Sequence, residues 1–333
     1  MFEFTVVPGP AVRDVLDADR PAVIDLVRRT YVHHEAGDSV NPDSYFLRFP
    51  DKPDARIIAL PAYLGADVQR AGIKWISSFP ANTAAGRPRA SAVLVLNDYE
   101  TGYPTACLEA ATISSARTAA SAAVAATALR PGGYAGSTLS VVGAGIIARN
   151  ICDYVHAAGV RPDTYLVHDL DPASGHALVQ HIRENLGAPA EFVAGLDAAL
   201  AADTVVFATT VATPYVHTPF KPGQLVLNIS LRDLAPDVIT QAANLFDDVE
   251  HCMKANTSPH LAEQATGGRD FVTGTLAAVL NGEVTPPTDV PVVFSPFGLG
   301  VLDLAVGAHV FGRAQEAGTA VEIPGFFAET HRW

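Results

Sequence analysis

The chain has 333 residues, 49% of them hydrophobic and 17% charged, a balance that builds buried cores and excludes a disordered chain. That length exceeds one small core and suits two domains or one large one. A formal net charge of −13 argues against nucleic acid or an anionic membrane as partner, while a local basic pocket could still catch a small anion.

From the N-terminus, Asp17 to Val32 reads as an amphipathic helix, with Val23, Ile24, Val27 and Tyr31 on one face and arginines on the other. Ser44 to Phe49, Arg56 to Leu60, Ala71 to Ser77, Ala90 to Asn97 and Pro104 to Glu109 follow as strands of a mixed or antiparallel sheet, punctuated by Pro and Gly. Ile113 to Leu129 is an alanine-rich helix ended by Pro131-Gly132-Gly133. Arg117 and several hydroxyl residues interrupt it, so it is a packed helix and no membrane span. Beyond it, strands near Leu139, Tyr165, Phe192, Val205 and Leu225 alternate with helices at Ile146, Ala173, Leu196 and Asp237, the pattern of a doubly wound parallel sheet. Val292 to Phe294 is a further strand, Val301 to Ala317 a helix, and Ile323 to Trp333 is apolar enough to pack on something.

The second half is organised around Val141-Val142-Gly143-Ala144-Gly145-Ile146-Ile147-Ala148. Gly143 permits a tight turn after a buried strand, and Gly145 leaves backbone bare for a pyrophosphate. Ala148 lets the new helix pack closely, and the helix N-terminus favours an anion. Asp169, at the tip of the next strand, would accept hydrogen bonds from ribose hydroxyls and repel a 2′-phosphate, and no arginine stands beside it. The cofactor expected is therefore NAD. Thr209 and Ser230 end two later strands and are expected to face it. Cys107, Cys152 and Cys252 are widely spaced without C-x-x-C, which suits a reducing cytoplasm, and neither they nor His251 and His260 have the spacing of a metal site.

A dinucleotide domain in second place requires the first 130 residues to form the other wall of a cleft. Arg48, Lys74 and Arg117 are cations set in apolar runs, where burial is costly unless an anion answers them. Together they suggest a carboxylate-binding cluster. Asp303, opening a helix after Phe297-Gly298-Leu299-Gly300-Val301-Leu302, is either a helix N-terminal carboxylate or a group that moves protons in a dry site.

Gly72-Ile73-Lys74-Trp75, Ala116-Arg117-Thr118-Ala119-Ala120, the glycine loop and the run ending at Asp303 resemble the ornithine cyclodeaminase and mu-crystallin family, in order and over nearly the whole chain. The resemblance implies an α/β fold, with a Rossmann doubly wound parallel sheet (131–300) inserted into an α+β substrate and dimerisation domain (1–130 plus 301–333). It implies that Arg48, Lys74 and Arg117 hold a substrate carboxylate and that Lys74 and Asp303 are catalytic, Asp303 handling protons or water. It further implies that Thr118, Gly143, Ala144, Gly145, Ile146, Ile147, Asp169, Thr209, Ser230, Gly298 and Leu299 line the cofactor. Cyclodeaminases carry a glutamate just before the proline of the strand preceding the lysine; here Arg56-Ile57-Ile58-Ala59-Leu60-Pro61 has no acid. The stretches 74–80, 88–91, 96–104 and 256–264 are instead similar to the branch of N-(2-amino-2-carboxyethyl)-L-glutamate dehydrogenases, which make 2,3-diaminopropionate for siderophores or antibiotics. That implies a small polycarboxylate amino-acid substrate, oxidised with NAD through an imine, and a cytoplasmic homodimer without nucleic-acid or membrane partners. The alternatives are an ornithine cyclodeaminase, an alanine dehydrogenase, a ketimine reductase, or a non-catalytic binding protein like mu-crystallin.

Overall fold

The computed structural model describes residues 3–329 and 331. The chain forms two compact units, Met1–Arg117 with Leu299–Trp333, and Thr118–Gly298.

The first unit begins with β1 (Thr5–Val7), α1 (Gly9–Ala18) and α2 (Arg20–Glu35). Where one helix over 17–32 is expected, two form, because the Asp19 carboxylate accepts the Ala22 N–H at 3.0 Å and, with Pro21 in the first turn, starts α2 afresh. Then come β2 (Ser39–Val40), β3 (Tyr45–Phe49), β4 (Lys52–Leu64), β5 (Arg70–Ser78), β6 (Ala90–Asp98) and β7 (Pro104–Glu109), followed by α3 (Ala111–Leu129). Strands β4 to β7 pair antiparallel in sequence order, β2 and β3 line the outer edge of β4, and β1 adds parallel to β7. The boundary between the units falls inside α3, between Arg117 and Thr118, rather than after it at 130.

The second unit comprises β8 (Thr138–Val142), α4 (Ile146–Ala157), β9 (Thr164–His168), α5 (Pro172–Asn185), β10 (Ala190–Phe192), α6 (Leu196–Leu200), β11 (Thr204–Phe207) and β12 (Leu225–Asn228). It continues through α7 (Pro236–Thr240), β13 (Ala243–Phe246), α8 (Val249–Cys252), α9 (Ser258–Thr266), β14 (Val272–Thr275), α10 (Leu276–Leu280) and β15 (Val292–Ser295). All eight strands are parallel, in the order β10-β9-β8-β11-β12-β15-β13-β14. The chain winds outward in one direction from β8 through β9 to β10 and then restarts on the other side with β11, so the crevice for a ligand lies at the C-terminal ends of β8 and β11. Every residue of β11, β12, β13 and β15 is buried, as a parallel sheet covered on both faces demands.

The chain returns to the first unit as α11 (Gly300–Glu316) and β16 (Val321–Glu322), the latter beside β1. Helix α11 lies close on the sheet because two positions lack side chains. A Cβ at Gly72 would strike the Val95 carbonyl and Leu304, and one at Gly307 would strike Leu94. Leu94, Leu96, Leu108 and Val306 are fully buried in this unit, each worth roughly 1.5–3 kcal/mol. In the closing segment Phe326 stacks on Phe4 with ring centroids 3.8 Å apart, and Phe327 meets Tyr103 edge-on. Residues 330, 332 and 333 of that segment lie outside the described residues.

Candidate functional site

In the first unit, β5 presents Lys74 on the face that α11 covers, and α11 presents Asp303 one turn in from its start. Lys74 Nζ donates to Asp303 Oδ2 at 2.6 Å and to Ser114 Oγ at 3.2 Å, while Arg117 Nε donates to Asp303 Oδ1 at 3.2 Å. The side chains of Lys74, Asp303 and Arg117 are 2%, 0% and 12% exposed. Two cations on one carboxylate leave one net positive charge in a dry place, which suits an incoming carboxylate. Burial pushes Lys74 down to about 8, an effect that Asp303 opposes and Arg117 reinforces. Lys74 thus titrates near neutrality, as a group that exchanges protons must. Asp303 is fully buried and held by both cations, rather than only ending a helix dipole.

Arg48 does not join this trio. It is exposed on β3, its guanidinium 5.4 Å from the Phe46 ring centroid, and its register partner is Arg56, which faces Ser78 on β5. Arg89 Nη1 donates to the Ser78 hydroxyl at 2.7 Å. Lys74 and Ser78 share one face of β5, two residue rows apart, or about 13 Å. Arg48, Arg56 and Arg89 therefore make a second cationic row on the face that carries Lys74. Arg56 and Arg89 are not singled out as site residues by the sequence, because arginines at strand ends look like ordinary solvated charges.

The second unit builds its site from backbone. Gly143 has φ +97°, and a Cβ there would lie 2.5 Å from the Ala208 carbonyl oxygen, so the turn admits only glycine. At Gly145, by contrast, a Cβ would meet no atom of the described residues within 4 Å. Nothing among the described residues asks for glycine there, and the space fits a group that approaches the main chain. Helix α4 begins at this point with no side-chain cap on its first N–H groups, the arrangement that receives a phosphate. Asp169 accepts the Ala144 N–H at 2.7 Å and the Asp171 N–H at 2.8 Å, which leaves further lone pairs for ribose hydroxyls. The residues present thus fit a dinucleotide. Ile146 is exposed, while Ile147 and Thr118 are half-buried.

Two buried carboxylates behind this surface escape sequence reading, because an aspartate in a loop looks solvated. Asp247 accepts N–H groups of Phe297 at 2.8 Å and Gly298 at 2.7 Å, and burial pushes its carboxyl above the usual range. The Cys252 thiol donates to it at 3.1 Å, and burial followed by the Asp247 charge pushes that thiol up, so it stays inert. Asp233 binds the hydroxyls of both Thr209 and Ser230. Leu299 has a fully buried side chain, so only its main chain could meet a ligand. Among the described residues no group of three or more His, Cys, Asp or Glu side chains could hold a metal, and no helix is long and apolar enough to cross a membrane.

The sequence model of the ornithine cyclodeaminase/mu-crystallin family matches residues 15–318. The chain belongs to that family. Within it, the nodulation efficiency protein NfeD of Rhizobium meliloti is 30% identical over 308 residues, 89% of this chain and 91% of its own. The N-((2S)-2-amino-2-carboxyethyl)-L-glutamate dehydrogenase of Staphylococcus aureus is 27% identical over 305 residues, 88% of this chain and 90% of its own. The fold is shared with the Thermococcus litoralis Delta(1)-pyrroline-2-carboxylate reductase in complex with NADH and L-proline, at a TM-score of 0.85 and 21% identity over 96% of this chain and 99% of that one.

Proposed function

We propose that this family member is an NAD-dependent oxidoreductase acting on a CH–NH bond, whose substrate is N-(2-amino-2-carboxyethyl)-L-glutamate. With water and NAD⁺ the products are L-2,3-diaminopropionate, 2-oxoglutarate, NADH and a proton. The observation that carries the reading is the buried Lys74–Asp303–Arg117 trio with a second cationic row on the same sheet face. A substrate with three carboxylates needs more than one cationic station, and a simple amino acid needs only one.

In this reading Lys74 and Arg117 hold the carboxylate next to the reacting carbon, and Arg48, Arg56 and Arg89 receive a distal one. The glycine loop and Asp169 would hold NAD, which would supply a hydride acceptor for the glutamate α-carbon. Asp303 moves the proton at the substrate nitrogen, or at the water that adds to the resulting C=N bond before the C–N bond breaks. The apolar surroundings of the trio exclude other water, which keeps the imine from premature hydrolysis. The absence of an acid in 56–61 speaks against a cyclodeaminase, which needs a group for the substrate amine. We place this activity in a cytoplasmic homodimer that supplies siderophore or peptide-antibiotic assembly. Exposed Tyr45, Leu47, Trp75 and Val93 share the opposite face of β3 to β6 and support association through the first unit.

Product analysis tests the reading. Incubation of the chain with NAD⁺ and the amino-acid conjugate is expected to give NADH, diaminopropionate and 2-oxoglutarate in equal amounts. Ammonia and proline from ornithine without net NADH would mean a cyclodeaminase, and preferred oxidation of NADH with a cyclic imino acid a reductase. Binding of NAD with no turnover of any amine would mean a binding protein.

A further inference from the structure

Asp233 is fully buried, and three side-chain hydroxyls converge on it. Thr209 Oγ1 donates to Oδ1 at 2.6 Å, Tyr215 OH donates to Oδ1 at 3.1 Å, and Ser230 Oγ donates to Oδ2. Burial, followed by the Asp233 charge, pushes the Tyr215 hydroxyl up, so it remains a donor. A carboxylate only accepts, so each of these hydroxyls has its proton committed inward and offers lone pairs alone to anything outside. The backbone around Asp233 is pinned as well. Its carbonyl accepts the N–H groups of Tyr215 and Val216, the Ser258 N–H holds the Leu231 carbonyl at 2.7 Å, and Ser258 Oγ accepts the Leu234 N–H. Leu231 sits at φ +75°, a strained conformation for a non-glycine residue that persists only where surroundings impose it.

The position of this hub decides what meets the two hydroxyls. Gly143 packs against Ala208 and the Thr209 N–H, so Thr209 adjoins the pyrophosphate loop. Ser230 lies beyond β12, and the strand order β9-β8-β11-β12 places it about 14 Å from Asp169, three strand spacings across the sheet. A dinucleotide with its adenosine ribose at Asp169 and its pyrophosphate at Gly145 therefore brings its other half to Thr209 and Ser230. Phosphate offers only acceptors and would be repelled there. The nicotinamide riboside offers donors, the carboxamide NH₂ and the ribose hydroxyls.

We infer that Asp233 is a positioning residue that fixes the Thr209 and Ser230 hydroxyls as acceptors for the donors of the nicotinamide riboside. The inference rests on the NAD reading and deepens it. Titration calorimetry with NAD⁺ and with ADP, which ends before that riboside, tests it in the wild type, Asp233→Asn and Thr209→Val. An amide in place of the carboxylate needs an acceptor and so turns one hydroxyl proton outward. NAD⁺ affinity is then expected to fall roughly tenfold and KM for NAD⁺ to rise in step, with ADP unchanged. Thr209→Val leaves Asp233 in place and is expected to act in the same direction, which keeps the test alive if Asp233→Asn does not fold. ADP-ribose divides the two donor sources: loss shared with NAD⁺ assigns the ribose hydroxyls, and loss confined to NAD⁺ assigns the carboxamide. Equal weakening of NAD⁺ and ADP, or unaltered NAD⁺ affinity in both variants, overturns the inference while the NAD reading stands. A wild type that binds neither nucleotide overturns both.

Discussion

At the start of α4, from Gly145 on, the groups offered to an anion are main-chain N–H groups of consecutive residues, whereas the cations Lys74 and Arg117 are side chains gathered on Asp303 from as many as 229 positions away. The first receptor depends on where side chains are missing, the second on each charged atom being present and on the helix packing that brings them together. A methyl group is thus the natural weapon against one and an isosteric charge change against the other.

The largest effect is expected from Asp303→Asn. It leaves two buried cations without their anion, which should destabilise the fold by about 3–5 kcal/mol, and it removes the group proposed to handle protons, which should lower turnover roughly 10²–10⁴-fold. Thermal unfolding and NADH formation at saturating substrate read the two separately, and full turnover at saturation would remove that role. Next comes Gly143→Ala. The added methyl meets the Ala208 carbonyl at φ +97°, so NAD⁺ binding should weaken by about 1–3 kcal/mol, measured by calorimetry, with the buried trio untouched.

The smallest effect sharpens the contrast through pH. Lys74 is held at about 8 against 10.5 for a free lysine. Between those values the unfolded chain binds the extra proton, so this group makes the fold more stable as pH rises through the window. Substrate binding should respond in the opposite sense: above about pH 8 the trio loses its net positive charge, and KM for the substrate should rise. Lys74→Arg, which does not titrate there, should flatten that rise, while the pH dependence of NAD⁺ affinity stays the same in both forms.

The same contrast explains what could be read without a structure. The glycine loop, Asp169 and the alternating strands up to β12 are local patterns, and each stands within a few residues of where periodicity puts it. Lys74, Arg117 and Asp303 are singled out as cations in apolar runs and an acid at a helix start, but nothing local says that Gly72 and Gly307 let α11 descend until they touch. Arg48 looks equivalent to Lys74 in sequence, yet it sits two rows along an exposed strand, since one-dimensional context does not distinguish a strand's covered middle from its bare end. Strands β13 and β14 are four residues each, as β11 and β12 are, but Ala243-Asn244-Leu245-Phe246 and Val272-Thr273-Gly274-Thr275 are broken by an amide, a hydroxyl or a glycine where β11 and β12 run three apolar residues together. Asp233 and Asp247 escape notice because the donors that justify burying them come from other strands and loops.

Asp169 also shapes the glycine turn itself. By holding the Ala144 N–H at 2.7 Å, the carboxylate expected to recognise the adenosine ribose also staples the glycine turn from the neighbouring strand before any nucleotide arrives. The turn is preorganised, so little conformational entropy is lost on binding and more of the contact energy appears as affinity. Recognition and rigidity are then one side chain's work, and a substitution there would loosen the empty turn as well as the filled one.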